Sequence, residues 1–234
     1  MENQELLPPW GKAGKRVNIH LKIIMDRELE DFIVDHSTPE DPVLEDLYRQ
    51  THIRFVNPNM ACGHIQGKFL EMISGMINPS YILEIGTFTG YSAICLAKGL
   101  KPDGRLITIE SNDELTDFSN SYFLKAGVNE KIVQITGRAQ DIIPELNQTF
   151  DLVYIDGDKR EYVDYYNLTI DRVMTGGYII ADNVLWGGKI HDINTKDPQT
   201  RGIIEFTEMI SRQKNIENII LPLRDGIMII KKSA

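Results

Sequence analysis

From residue 80 onward this chain repeats one unit, a short apolar run followed by an amphipathic helical stretch. The runs cover residues 81–85, 105–110, 131–135, 151–156 and 177–182. Helical segments near 91–100, 114–126, 139–146 and 160–174 separate them. Antiparallel neighbours can be joined by a tight turn, whereas parallel ones need a crossover of helical length. The alternation therefore predicts an α/β fold with a mostly parallel sheet and helices on both faces. It ends after a helix at about 199–213. Runs 216–222 and 226–231 are joined by Leu223-Arg224-Asp225-Gly226, and Asp-Gly is a hairpin signal. The last strand is expected to be antiparallel.

The region before residue 80 reads differently. Residues 1–18 carry Pro8-Pro9, Trp10 and the bases Lys12, Lys15 and Arg16, which predicts a flexible arm or partner-binding segment. Residues 19–234 read as one domain, with a helical part over 19–79 and a core over 80–234. Leu29, Phe32 and Ile33 mark a first helix. Thr38-Pro39-Glu40-Asp41 reads as the start of a second, with a hydroxyl cap and a proline at the first helical position. Leu44, Leu47 and Tyr48 give that helix an apolar stripe. Asn57-Pro58-Asn59 breaks the chain, and Ile65, Phe69, Met72, Ile73 and Met76 then share one helical face.

Composition removes several classes of function. The formal charge is 25 − 34 = −9, which disfavours a nucleic-acid backbone as the main partner. No apolar run reaches the roughly 18 residues of a membrane span, and residues 1–18 have no apolar core of a secretory signal. Two cysteines, Cys62 and Cys95, make neither a disulfide framework nor a cysteine metal site, which fits a cytoplasmic setting. The five histidines show no ligand spacing.

In an open α/β sheet, ligands bind beyond the carboxyl ends of the strands. Two strands here end in oxygen donors, Tyr154-Ile155-Asp156-Gly157-Asp158-Lys159 and Ile179-Ile180-Ala181-Asp182-Asn183. Asp156, Asp182 and Asn183 make an all-oxygen set suited to a hard divalent cation. The competing reading is a pair of unrelated strand-end acids in turns. Lys159, three residues past Asp156, is a candidate base if its surroundings lower its pKa; otherwise it is a surface lysine at a helix start. Gly86-Thr87-Phe88-Thr89-Gly90 follows a strand and opens a helix. Its G-x-x-x-G spacing is not the dinucleotide fingerprint. Glu84 before the first glycine would repel a pyrophosphate but suits a cationic ligand such as a sulfonium. Glu110 ends the second strand, where an acid can accept from ribose hydroxyls. Trp186-Gly187-Gly188 and the polar loop to about residue 201 read either as a lid with Trp186 as an aromatic wall, or as a long surface loop.

Taken together, Leu83 to Ser92, Asp156-Gly157-Asp158-Lys159, Asp182-Asn183-Val184-Leu185-Trp186 and Leu221-Pro222-Leu223-Arg224-Asp225-Gly226 resemble the cation-dependent, S-adenosylmethionine-dependent O-methyltransferases. That group contains the caffeoyl-CoA and catechol enzymes. The resemblance runs from about Met60 to Lys231. It implies a Rossmann-like, seven-stranded methyltransferase sheet and a homodimer. It implies that Glu84, Gly86, Thr87 and Ser92 line the methionine end of S-adenosylmethionine and that Glu110 holds the ribose. Ala139 would meet the adenine, and Cys62 and Asp158 would complete that shell. Asp156, Asp182 and Asn183 would hold the cation (Mg2+, with Ca2+ or Mn2+ as alternatives), Lys159 would be the base and Trp186 would face the acceptor. Two positions depart from the family: Arg138 stands where an acid is common, and Thr207 where many relatives carry Asn.

The function expected is methyl transfer to a hydroxyl of a small phenolic or catechol-like acceptor, with no nucleic acid or membrane as partner. The rivals are an RNA or protein methyltransferase on the same core, a non-catalytic protein of that fold, and a nicotinamide-dependent dehydrogenase.

Overall fold

The computed structural model describes residues 27–233. The chain forms two compact units, Met1–Ser37 and Thr38–Ala234. The expected arm over residues 1–18 and its boundary lie outside the described residues. In the first unit, helix α1 (Arg27–Asp35) leaves Phe32 and Val34 exposed.

The second unit opens with α2 (Pro42–Arg54). Its start is later than the Thr38-Pro39 reading. Asp41 is the cap, accepting from the Val43 amide at 2.8 Å, and Pro42 takes the first turn. A helix begun at Pro39 would need Asp41 in helical conformation, which a following proline disfavours; Asp41 is instead extended, at φ −63 and ψ 130. The stripe Leu44 and Leu47 is buried within its own unit. Polar contacts also hold α2: Tyr91 donates to Glu40, Lys98 pairs with Asp41 at 2.7 Å, and Tyr122 donates to Asp46 at 2.7 Å.

Helix α3 (Gly63–Ile77) buries only part of its expected face: Phe69 and Ile73 pack against the core. Gln66, Gly67, Leu70 and Ser74 are buried, while Met72 and Met76 are 61% and 78% exposed. Size outweighs hydrophobicity here. A Cβ on Gly67 would meet Tyr91 at 2.5 Å and Cys95 at 2.9 Å, so only the small face admits α4 (Tyr91–Lys98). Ser74 seals the contact by donating to the Leu96 carbonyl at 2.7 Å.

The sheet has β1 (Tyr81–Ile85), β2 (Arg105–Glu110), β3 (Ile132–Thr136), β4 (Phe150–Ile155), β5 (Val173–Ala181), β6 (Ile216–Leu221) and β7 (Ile227–Lys232). The strand order is β3-β2-β1-β4-β5-β7-β6. The first five strands are parallel, and β7 is antiparallel to both β5 and β6, as the Asp-Gly turn predicted. Alternate residues feed two cores. Ile82, Leu106, Leu152 and Tyr154 pack with α2, α3, α4 and α5 (Thr116–Lys125). Leu83, Ile107, Val153 and Ile155 pack with α6 (Ala139–Ile142), α7 (Tyr162–Thr169) and α8 (Pro198–Ser211). Strand β5 begins four residues earlier than expected, because Gly176-Gly177 sits inside the strand rather than ending a helix. Among the described residues no helix is long and apolar enough to cross a membrane.

The order reverses between β1 and β4, so the loops after these two strands diverge and leave a crevice. Gly86 closes its base. Its φ is +102, and a Cβ there would stand 2.4 Å from the Asp156 carbonyl oxygen. Gly86→Ala should therefore destabilise the fold by about 1–3 kcal/mol, the usual cost of overpacking, with added backbone strain at that φ. Urea unfolding of the variant is the check.

Candidate active site

A cleft of about 920 Å³ lies beyond the carboxyl ends of the parallel strands. Gly86, Glu110, Ala139, Asp156, Asp158, Lys159, Asp182, Asn183 and Trp186 all line it. Cys62, Glu84, Thr87 and Ser92 are not on its wall; they are buried. Strand register explains the grouping. Ile155 pairs with Ala181, so Asp156 and Asp182 are the next residues on adjacent strands. The Asp182 amide donates to the Ile155 carbonyl at 3.0 Å and the Asp156 amide to the Ile85 carbonyl at 2.9 Å, extending the ladder by one residue on each.

Both oxygens of the Asp182 carboxylate accept hydrogen bonds, two on Oδ2 and one on Oδ1. Oδ2 accepts from Gln66 Nε2 at 2.5 Å and from the Tyr154 hydroxyl at 2.9 Å, and Oδ1 accepts from the Asn183 amide at 2.7 Å. Asn183 has φ 57, which turns the chain sharply after Asp182. Asp156 faces Lys159, whose Nζ donates to Oδ1 at 2.8 Å and to the Gly157 carbonyl at 3.1 Å. Burial pushes the Asp156 carboxyl up to about 6; Lys159 opposes this and the charge of Asp182 adds to it. Among the described residues no three His, Cys, Asp or Glu side chains cluster as a metal site. The oxygen set is complete only with the Asn183 amide.

Lys159 is only 8% exposed. Burial alone would lower its pKa, but Asp156 and Tyr162 outweigh burial and hold it above the ordinary lysine value. This reverses the lowered pKa expected from sequence: an apolar wall destabilises an ammonium only where no carboxylate faces it. The Trp186 ring lies 5.9 Å from Lys159 Nζ, on a segment where Gly187 and Gly188 both have positive φ.

Glu84 is completely buried beneath the glycine turn. Thr108 donates to its Oε2 at 2.5 Å and is itself 2.5 Å from the Thr87 hydroxyl, while Oε1 has no hydrogen-bond partner. Burial pushes its carboxyl up to about 8, against the Ser92 and Thr108 hydroxyls. Glu110 is held by the Phe88 amide at 2.8 Å and the Asn112 amide at 2.9 Å. Asp158 accepts from the Arg160 amide at 3.0 Å, and the Arg160 side chain keeps its carboxyl below the ordinary range. Arg138 lines the cleft and lies 3.5 Å from Glu161. Thr207 donates back to the Ile203 carbonyl of its own helix, away from the cleft wall.

Sequence reading missed Gln66, Tyr154 and Arg224. Tyr154 was submerged in an apolar strand and Arg224 in a hairpin turn. The available signal was Gln66, a lone amide between apolar helical positions.

The sequence and the fold are shared with known proteins. A family model described as O-methyltransferase matches residues 34–233. A catechol O-methyltransferase from Niastella koreensis is 34% identical over 172 residues, spanning 72% of this chain and 75% of the relative. Caffeoyl-CoA O-methyltransferase 1 of Arabidopsis thaliana is 28% identical, spanning 91% of this chain and 87% of its own. The structure of the O-methyltransferase TomG from Streptomyces achromogenes in complex with SAM superposes with a TM-score of 0.82 at 31% identity, covering 88% of this chain and 96% of that one. The chain belongs to the O-methyltransferase family. It is an S-adenosylmethionine-dependent O-methyltransferase of the catechol and caffeoyl-CoA type.

Glu84 gives a pH test. Its folded pKa of about 8 is raised from an ordinary 4.5. Between these values the folded protein holds a proton that the unfolded chain has lost, so stability should fall as pH rises through this window. Glu84→Gln should flatten that fall, as read from urea midpoints between these pH values.

Proposed function

We propose that this enzyme methylates a hydroxyl of a small phenolic or catechol-like acceptor, with a divalent cation held by Asp156, Asp182 and Asn183. The observation that carries the reading is the forced adjacency of the two carboxylates at the ends of β4 and β5, facing the cleft. Burial and the Asp182 charge both disfavour ionisation of Asp156, a condition that a bound cation relieves. Two carboxylates and an amide fit a hard, oxygen-seeking ion such as Mg2+, Mn2+ or Ca2+ and leave positions free for a pair of acceptor oxygens. When bound, the cation would supply Lewis acidity, lowering the pKa of the acceptor hydroxyl.

The remaining work falls to the chain. Gly86 allows the backbone to approach the methyl donor, Glu110 offers acceptors for ribose hydroxyls, and Ala139 faces the adenine. Glu84, with a free oxygen beneath the turn, is a buried carboxyl held protonated by burial, and a cationic donor bound above it would favour its ionised form. Trp186 presents a flat wall to an aromatic acceptor. Lys159 accepts the hydroxyl proton once Asp156 is engaged elsewhere, because burial, which lowers its pKa, is then opposed by Tyr162 without the carboxylate. Holding donor and acceptor in line contributes roughly 7–11 kcal/mol in favourable cases. The same reading carries a cytoplasmic homodimer. Phe32 on α1 is exposed, whereas the α2 stripe is covered in its own unit. A second copy would therefore cover α1 rather than α2.

Methyl transfer to catechol should be lost with chelator and restored by Mg2+; full activity in chelator would refute the cation. Lys159→Met should slow turnover by roughly 10²–10⁴-fold, the range of a general base. That loss should shrink for more acidic phenols and at higher pH, while an equal loss on all acceptors at every pH would make Lys159 a positioning residue. Light scattering should give a dimer mass for the wild type and a lower mass for Phe32→Glu; a monomeric wild type would end the dimer reading.

A further inference from the structure

Gln66 is 1% exposed, on the α3 face turned toward the sheet. A buried amide needs an acceptor for its N–H groups and a donor for its oxygen. Both are present, on different elements. Its Oε1 accepts from Arg224 Nη1 at 3.4 Å, and its Nε2 lies 2.5 Å from Asp182 Oδ2 and 3.2 Å from the Tyr154 hydroxyl. A guanidinium has donors only, so Arg224 decides which end of the amide faces it. The nitrogen end is left to face Asp182. Arg224 is anchored by the carbonyls of Ala61, at 3.1 Å, and Cys62, and its backbone is in the left-handed region at φ 49. Tyr154, one position before the end of β4, donates to the same Oδ2 at 2.9 Å. The carboxylate is thereby held by α3, by β4 and by its own following amide. Each oxygen of an ionised carboxylate has two lone-pair directions, so this clamp leaves room for a cation.

We propose that Gln66 is a positioning residue for the cation site, clamping the Asp182 carboxylate in a cation-ready orientation, with Arg224 fixing the direction of the Gln66 amide. The inference rests on reading Asp156, Asp182 and Asn183 as cation ligands. Carboxylate ligands are commonly held by hydrogen bonds from outside the ligand set, and loss of such a partner weakens metal binding by about 10–100-fold.

The test is direct Mn2+ binding, followed by electron paramagnetic resonance of the free ion, on wild type, Gln66→Leu, Gln66→Met and Tyr154→Phe. S-adenosylhomocysteine affinity by calorimetry and thermal unfolding accompany each titration. Both Gln66 variants should weaken Mn2+ binding by about 10–100-fold and leave S-adenosylhomocysteine affinity unchanged. Tyr154→Phe should weaken it less, because Gln66 still holds Oδ2. If one Gln66 variant fails to fold, the other and Tyr154→Phe carry the comparison. Folded Gln66 variants that bind Mn2+ as tightly as wild type, with only a lowered melting temperature, would overturn the inference and leave Gln66 a packing residue. Wild type that binds no Mn2+ would overturn the cation reading itself, and this inference with it.

Discussion

Asp156 and Asp182 stand side by side because β4 and β5 are parallel and in register up to the last residue of each. Strand spacing is about 4.8 Å, too close for two buried carboxylates to ionise freely unless something compensates them. The surrounding polar structure answers that requirement. Lys159 neutralises Asp156. Gln66, Tyr154 and the Asn183 amide take the oxygens of Asp182. Arg224 supplies a further positive charge that favours ionised Asp156. The chemistry of the site follows from two closely spaced carboxylates and the groups that compensate them, held against the apolar cores on the two faces of the sheet.

Holding these groups distorts the backbone where the cleft is built. Phe88, Asn183, Trp186 and Arg224 all have positive φ, and all line the cleft. Non-glycine residues held outside favoured backbone regions cost of order 1–3 kcal/mol each, sustained only where the surroundings over-determine them. Here the determinants are visible: the Phe88 amide is bound by Glu110, Asn183 follows a ladder-bonded Asp182, and the Arg224 side chain is tied to the loop before α3. The rigid sheet sets the cleft floor, and the strained turns aim its walls.

Much of this was legible from residue order. Alternation gave the parallel strands, Asp-Gly gave the terminal hairpin, and oxygen donors at two strand ends gave the candidate cation ligands. The misreadings share a cause. The α2 start was misplaced because two Xaa-Pro pairs compete locally, and the burial of one side chain, Leu44, cannot be seen from its neighbours in sequence. The α3 face was misassigned at Met72 and Met76 because periodicity weighs apolarity, while Gly67 and Ser74 set how closely two helices approach. The pKa of Lys159 was read in the wrong direction because an apolar setting was inferred without its ion-pair partner.

The sequence by itself determined the class of sheet, the alternation of strands with crossover helices and the chemical types available at each strand end, because these depend on short-range periodicity and turn chemistry. The tertiary structure decided which of those groups meet. Gln66 and Asp182 are 116 residues apart, and Arg224 and Gln66 are 158 apart. No local pattern encodes such a pairing, since it depends on how α3 packs against the sheet and where the last hairpin folds back. The type of chemistry was written into strand ends; its charge balance and orientation came from long-range packing.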